Sequence, residues 1–148
     1  MSIVIRNLRI EDKAEWEKLW AGYLDYYQSP LEQSIYDATF TALLAEDAHS
    51  PSGLLALVDD RPVGLVHYLF HAHCWRPEGI CYLQDLFTSP QARGQGVARA
   101  LIEAVYAAAD ARNVSGVYWT TQDFNATARR LYDQVGVLTP FIKYVRPE

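Results

Sequence analysis

The chain has 148 residues, half of them hydrophobic and 21% charged, with a formal net charge of -5. That length can bury a core without metal or disulfide staples, and the composition is globular rather than disordered. The acidic balance argues against nucleic acid as a partner and leaves no polybasic patch for a membrane, while mildly favouring cationic small molecules or basic peptides. Two cysteines, Cys74 and Cys81, make no disulfide framework and point to the reducing, cytoplasmic compartment. Arg6 and Arg9 interrupt the apolar N-terminal run, which therefore lacks a signal-peptide core, and no apolar run reaches transmembrane length.

In chain order, residues 3–6 read as a strand. A helix follows in which Trp16, Leu19, Trp20, Tyr23, Leu24 and Tyr27 form one apolar stripe, stopped by Ser29-Pro30. A second helix spans about 32–46. Residues 54–58 and 63–71 are strands around the turn Asp59-Asp60-Arg61-Pro62. Residues 73–79 read as a loop, and a strand then begins near Tyr82. It breaks at Ser89-Pro90, passes through Arg93-Gly94-Gln95-Gly96 and becomes a helix with Ala98, Leu101, Ile102, Val105, Tyr106 and Ala109 on one stripe. Residues 116–121 are a strand, 125–134 a helix and 141–145 a last strand. Nothing reads as a repeat or linker, so one domain is expected over residues 1–148. The order implies an α/β fold, a mixed sheet with helices on both faces. The strands at Tyr82 and Val117, joined by a helix, should be parallel.

Two stretches carry the chemistry. A strand, a glycine loop and a helix N-terminus make an anion site, because first-turn N–H groups are unpaired and the macrodipole adds positive charge. Gly94 and Gly96 let a phosphate approach the backbone, and Arg93 adds a formal charge. No Gly-Lys-Ser/Thr follows, and Arg99 occupies the third glycine position of the dinucleotide pattern, which disfavours nucleotides. The second stretch runs from Tyr118 to Gly136. Asn125 and Tyr132, seven apart, lie on one helix face with Ala128 between them.

Arg-Gly-Gln-Gly-Val-Ala from Arg93, followed by Asn-Ala-Thr-Ala-Arg-Arg-Leu-Tyr-Asp-Gln-Val-Gly from Asn125, resembles the GNAT superfamily of acyl-CoA-dependent N-acetyltransferases. The match covers the family's pyrophosphate loop and its Asn-to-Tyr helix. Tyr-Leu-Gln-Asp-Leu-Phe from Tyr82 and Val-Tyr-Trp-Thr-Thr from Val117 are similar to the HPA-type histone and polyamine acetyltransferases. The resemblance implies a mixed sheet of about six strands, four flanking helices and a splayed central parallel pair. It implies acetyl-CoA as co-substrate, its pyrophosphate on the amides of Arg93, Gly94, Gln95, Gly96, Val97 and Ala98. Backbone groups of Leu86, Phe87 and Thr88 would run beside the pantetheine, and Asn125 would bind the cofactor or hold its helix. Tyr132 would protonate the departing thiolate.

Polyamine-type relatives often carry a glutamate where this chain has Gln84, which cannot take a proton. Asp85 is the remaining carboxylate on that strand, expected on the opposite face from Gln84, and it is either a catalytic base or a structural aspartate, a water relay being the other route for the proton. Tyr26, off the α-helical stripe, and Trp75 are candidate acceptor-lining aromatics together with Gln84. His67, His71 and His73 share strand parity, but no Cys or carboxylate sits at ligand spacing and no metal is expected. Cys81 reads as a buried thiol rather than a nucleophile. The expected acceptor is a small-molecule amine such as an amino acid or polyamine. Alternatives are a protein or peptide amine and a non-catalytic acyl-CoA-binding domain, the last disfavoured by Tyr132. An apolar last strand with little to cover it predicts a homodimer through the C-terminal segment.

Overall fold

A computed structural model describes residues 2–148. Five strands lie in the order β1 (Ile3–Asn7), β2 (Ser52–Val58), β3 (Arg61–His73), β4 (Arg76–Thr88), β5 (Val117–Tyr118). All neighbours are antiparallel except β4 and β5, which are parallel as expected of strands joined by a helix. Helices α1 (Lys13–Tyr26) and α2 (Gln33–Leu44) cover one face. Helix α3 (Val97–Ala111) covers the other, and α4 (Ala126–Val135) follows β5.

Strand alternation sorts the core into two layers. Leu54, Ala56, Val66, Tyr68, Cys81 and Leu83 face α3, meeting Val97, Leu101, Ile102 and Val105. Leu55, Leu57 and Leu65 face the first two helices, meeting Trp16, Leu19, Trp20, Phe40 and Leu43. Trp16 is fully buried and stacks on Trp20 at 5.2 Å between ring centroids. At the start of α1 a paired fork joins Arg6 to Asp12, at 2.7 and 2.9 Å, and the Arg9 backbone N–H donates to the same carboxylate. Those bonds hold the Asp12 carboxyl below its usual range, chiefly through Arg6, and tie the helix start to β1.

The β2–β3 hairpin closes through Asp59 and Asp60, both at positive φ, as a two-residue primed turn that matches strand twist requires. Three expectations need correction. Residues 73–79 are mostly strand rather than loop, because β3 and β4 pair out to His73 and Arg76 and only Cys74 and Trp75 form the turn. Gly79, at φ 84, takes up the register irregularity there, where a Cβ would meet the His71 carbonyl oxygen at 2.8 Å. The strand expected at 116–121 shortens to two residues, since β5 leaves β4 after Tyr118. Residues 141–145 are not a strand. The chain past Gly136 pairs with no described strand, so the sheet has five strands rather than about six.

Strict alternation also fails inside β4. His67 pairs with Asp85 and Tyr68 with Leu83, so Gln84 is an extra residue, a β-bulge. Leu83 stays on the α3 face, whereas Asp85 turns to α1.

Candidate active site

Beyond Tyr82 the strands β4 and β5 diverge, because their register holds only at Cys81 with Val117 and Tyr82 with Tyr118. The unpaired edge of β4, the N-terminus of α3 and one face of α4 enclose a cleft of about 790 Å³. A recess of about 20 Å³ continues it into the splay, lined by Leu83, Gln84, Trp119 and Thr120. Tyr23, Tyr27, Leu86 and Tyr132 line both.

The glycine loop is shaped by backbone conformation. Gly94 and Gly96 have φ of 76 and 85, and an added Cβ at either would stand in open space. No packing inside the protein therefore excludes a side chain; the left-handed conformation does, and the space above belongs to a ligand. The first helical bond of α3 runs from the Ala100 N–H to the Gly96 carbonyl, at 3.0 Å, which leaves the first-turn N–H groups without intrahelical partners. Arg93 donates from Nε to the Thr88 carbonyl at 3.2 Å, and Arg99 holds Gln134 across the cleft. Thr88 Oγ1 is buried at the cleft wall without a hydrogen-bond partner among the described residues. A free amide cradle, two arginines and an orphaned hydroxyl fit the diphosphate and amide chain of a coenzyme A thioester.

Every residue expected to touch the cofactor lines this cleft except Gln95, which turns its amide to the Gln91 carbonyl at 3.4 Å. Tyr26 and Tyr132 line it too, and Gln84 lines the recess. Trp75 does not. It lies at the tip of the β3–β4 hairpin, 87% exposed and at the far end of the strands from the Thr88 rim. Asp85 lines neither cavity. It is buried beneath them, and its Oδ2 meets His67 Nδ1 at 2.8 Å and accepts from Trp20 Nε1 at 3.3 Å. Trp16 Nε1 donates to the other ring nitrogen of His67 at 2.9 Å.

Asn125 stands immediately before α4 and reaches Thr121 Oγ1 at 3.4 Å. Tyr132 packs edge-on to Trp119, and burial, followed by Tyr27 and Tyr26, pushes its phenol up to about 12. It stays protonated across the working pH range, a donor rather than a base. Cys81 is fully buried and its thiol is pushed up to about 11 by burial, as suits an inert core residue. The other two histidines of β3 lie away from this pair: His71 meets the Tyr118 hydroxyl at 2.8 Å, and His73 accepts from the Trp75 backbone N–H. The sequence places Tyr23 and Tyr27 on the core stripe and marks Arg99 only as the residue at the third glycine position, not as a cleft residue. Their i, i+4 spacing gives no sign that the stripe's last turn overhangs a cleft.

Residues 16–137 match the model of the acetyltransferase (GNAT) family. The chain belongs to that family. It is 32% identical over 146 residues to D-amino-acid N-acetyltransferase HPA3 of Saccharomyces cerevisiae, covering 97% of this chain and 90% of that protein. Among solved structures it is similar to ribosomal-protein-alanine N-acetyltransferase from Brucella melitensis biovar Abortus 2308, with a TM-score of 0.81, 23% identity and full coverage of both chains. It is also similar to AAC(6')-Iy in complex with the bisubstrate analog CoA-S-monomethyl-acetylneamine, with a TM-score of 0.86, 16% identity and coverage of 100% and 99%. This GNAT protein is an acyl-CoA-dependent N-acetyltransferase, and acetyl-CoA is its co-substrate. Among the described residues no helix is long and apolar enough to cross a membrane.

Proposed function

We propose that the protein acetylates the primary amine of a small molecule by direct attack, with Tyr132 as the general acid. The observation that carries this reading is the position of Tyr132 on the wall common to the cofactor cleft and the splay recess. Bound acetyl-CoA supplies an activated acetyl thioester. The amides at the start of α3 would hold its diphosphate, and the open edge of Leu86, Phe87 and Thr88 would align the pantetheine. Tyr132 would then donate to the leaving sulfur. Its raised pKa makes it a reluctant donor, so the transfer must be coupled to the arrival of the proton that the nitrogen sheds. Much of the rate would come from holding amine and thioester in one cleft. Asp85 is the carboxylate we assign to receiving the acceptor's first proton.

Among acceptors, an amino acid fits better than a polyamine. No Asp or Glu lines either cavity, so a second ammonium would find no partner there, and Gln84 offers an amide instead of a carboxylate. The yeast relative acts, by its name, on D-amino acids. A panel of D- and L-amino acids, diamines and a short peptide, assayed with acetyl-CoA by free-thiol release, tests this. Amino acids should turn over fastest. Turnover of diamines or the peptide with none of the amino acids would overturn the assignment. Two unpaired cysteines suit a reducing, cytoplasmic location.

The C-terminal segment bears on assembly. Val137, Leu138, Phe141, Ile142, Tyr144 and Val145 are 72–91% exposed. The outer edge of β5 has no described strand beside it. An exposed apolar segment and an open sheet edge on one molecule are complementary to those of a second copy, and we propose a homodimer built on them. Light scattering at micromolar concentration should give twice the chain mass, and deletion of residues 139–148 should give monomer. A monomeric full-length chain would refute it.

A further inference from the structure

Asp85 lines neither the cleft nor the recess, which leaves open how a proton reaches it. The donor set around it decides what it can do. An indole N–H only donates, so Trp16 requires His67 Nε2 to be an acceptor, which places the ring proton on Nδ1. His67 then donates to Asp85 Oδ2, and Trp20 donates to the same oxygen. Both bonds fall on one carboxylate oxygen, and Oδ1 makes none with the described side chains. Three residues after Trp20, on the same face of α1, stands Tyr23, which lines both the cleft and the recess.

We propose, building on the reading of Asp85 as proton acceptor, that Tyr23 is the catalytic residue that connects the cleft to it, and that His67 is the positioning residue that presents Asp85. In the step, an N–H bond of the acceptor ammonium breaks and an O–H bond forms on the Tyr23 oxygen. The original Tyr23 proton passes to the Asp85 carboxylate, which becomes neutral, and the amine is left free to attack. The proton returns by the same path to solvent after product leaves. Burial first, and then the charge and hydrogen-bonding reach of Asp85, push the Tyr23 phenol far above its usual range. A phenol held that way never lingers as a phenolate, which suits a relay and not a base. Trp20 and His67 fill one oxygen of the carboxylate, with Trp16 fixing the His67 ring from its far side, and leave the other oxygen for Tyr23.

The best acceptor of the panel serves as probe. Tyr23→Phe should lower kcat about 10²-fold, with acetyl-CoA Kd and melting temperature nearly unchanged. Asp85→Asn should fall as far, and the double variant no further than either alone, because both changes cut one path. Glutamine can accept from Trp16 through its carbonyl and donate to Asp85 through its amide, so His67→Gln should keep most of kcat and His67→Leu should lose it. Wild-type kcat in folded Tyr23→Phe overturns the relay. If Asp85→Asn is then still impaired, the base assignment survives without Tyr23; if it is fully active, both fall. Equal kcat in His67→Gln and His67→Leu removes His67. Should Asp85→Asn or His67→Leu not fold, Tyr23→Phe on the cleft wall and His67→Gln still decide: a wild-type Tyr23→Phe or a His67→Gln as slow as Tyr23→Phe counts against the proposal. A wild-type protein that acetylates no amine of the panel removes it together with the proposed function.

Discussion

Tyr132→Phe should lower kcat by about 10²- to 10⁴-fold while leaving acetyl-CoA affinity within a few-fold of the original. Phenylalanine keeps the ring that packs on Trp119, so α4 stays in place, and only the hydroxyl at the junction of cleft and recess is lost. A hydroxyl that merely bonded the cofactor would instead weaken binding and spare turnover at saturation. A purely structural tyrosine would cost only about 0.5–1.5 kcal/mol of stability. Full activity in a folded variant would leave the leaving group to be protonated by water. The pH profile gives a second check with a definite sign. Burial raises the phenol pKa to about 12, so the proton is present below that value and lost only above it. The profile should therefore show no descending limb from Tyr132 below about pH 10. A descending limb near pH 9 that vanishes in Tyr132→Phe would contradict the donor role.

Gly96→Asp should abolish the rise in melting temperature that acetyl-CoA produces by linkage in the parent protein. The substitution acts in three ways. It forces a side chain into the left-handed conformation at φ 85, fills the open space above the loop, and brings a negative charge to the proposed diphosphate site. Gly94→Asp meets the same conformational demand at φ 76 and should behave alike. ATP and NAD should not raise the melting temperature of the parent, since the cleft runs along Leu86, Phe87 and Thr88 of β4, whose open edge suits an extended amide chain. Equal stabilisation by ATP would defeat the coenzyme A assignment for this loop.

Much of the architecture is local and so was readable in the residues. The apolar stripe of α3, the Gly94 and Gly96 loop and the seven-residue interval from Asn125 to Tyr132 each depend on backbone geometry over a few turns. They specified a strand–loop–helix cradle and a polar helix face, and the structure brings both to one cleft. The parallel β4–β5 pair followed from a helical connection alone.

What tertiary structure decided involves partners far apart in sequence. Gln84 is the bulge residue because β3 pairs with β4 in one particular register, and no composition signal marks that position. The bulge turns Asp85 from the face of Leu83 towards α1, where Trp20, 65 residues away in sequence, and His67, 18 away, take hold of it. His67 and Trp16, separated by 51 residues, fix each other's donor and acceptor roles only once the sheet has folded against α1. Tyr23 and Tyr27 share a stripe with core tryptophans, and the splay of β4 from β5 is what converts the end of that stripe into a cavity wall. Trp75 lost its place at the site for the opposite reason. Hairpin pairing extends past the expected loop and carries it to the distal tip. The final segment at 141–145 has the apolar, β-forming character of a strand, but a strand exists only through the ladder it joins, and no described strand pairs with it.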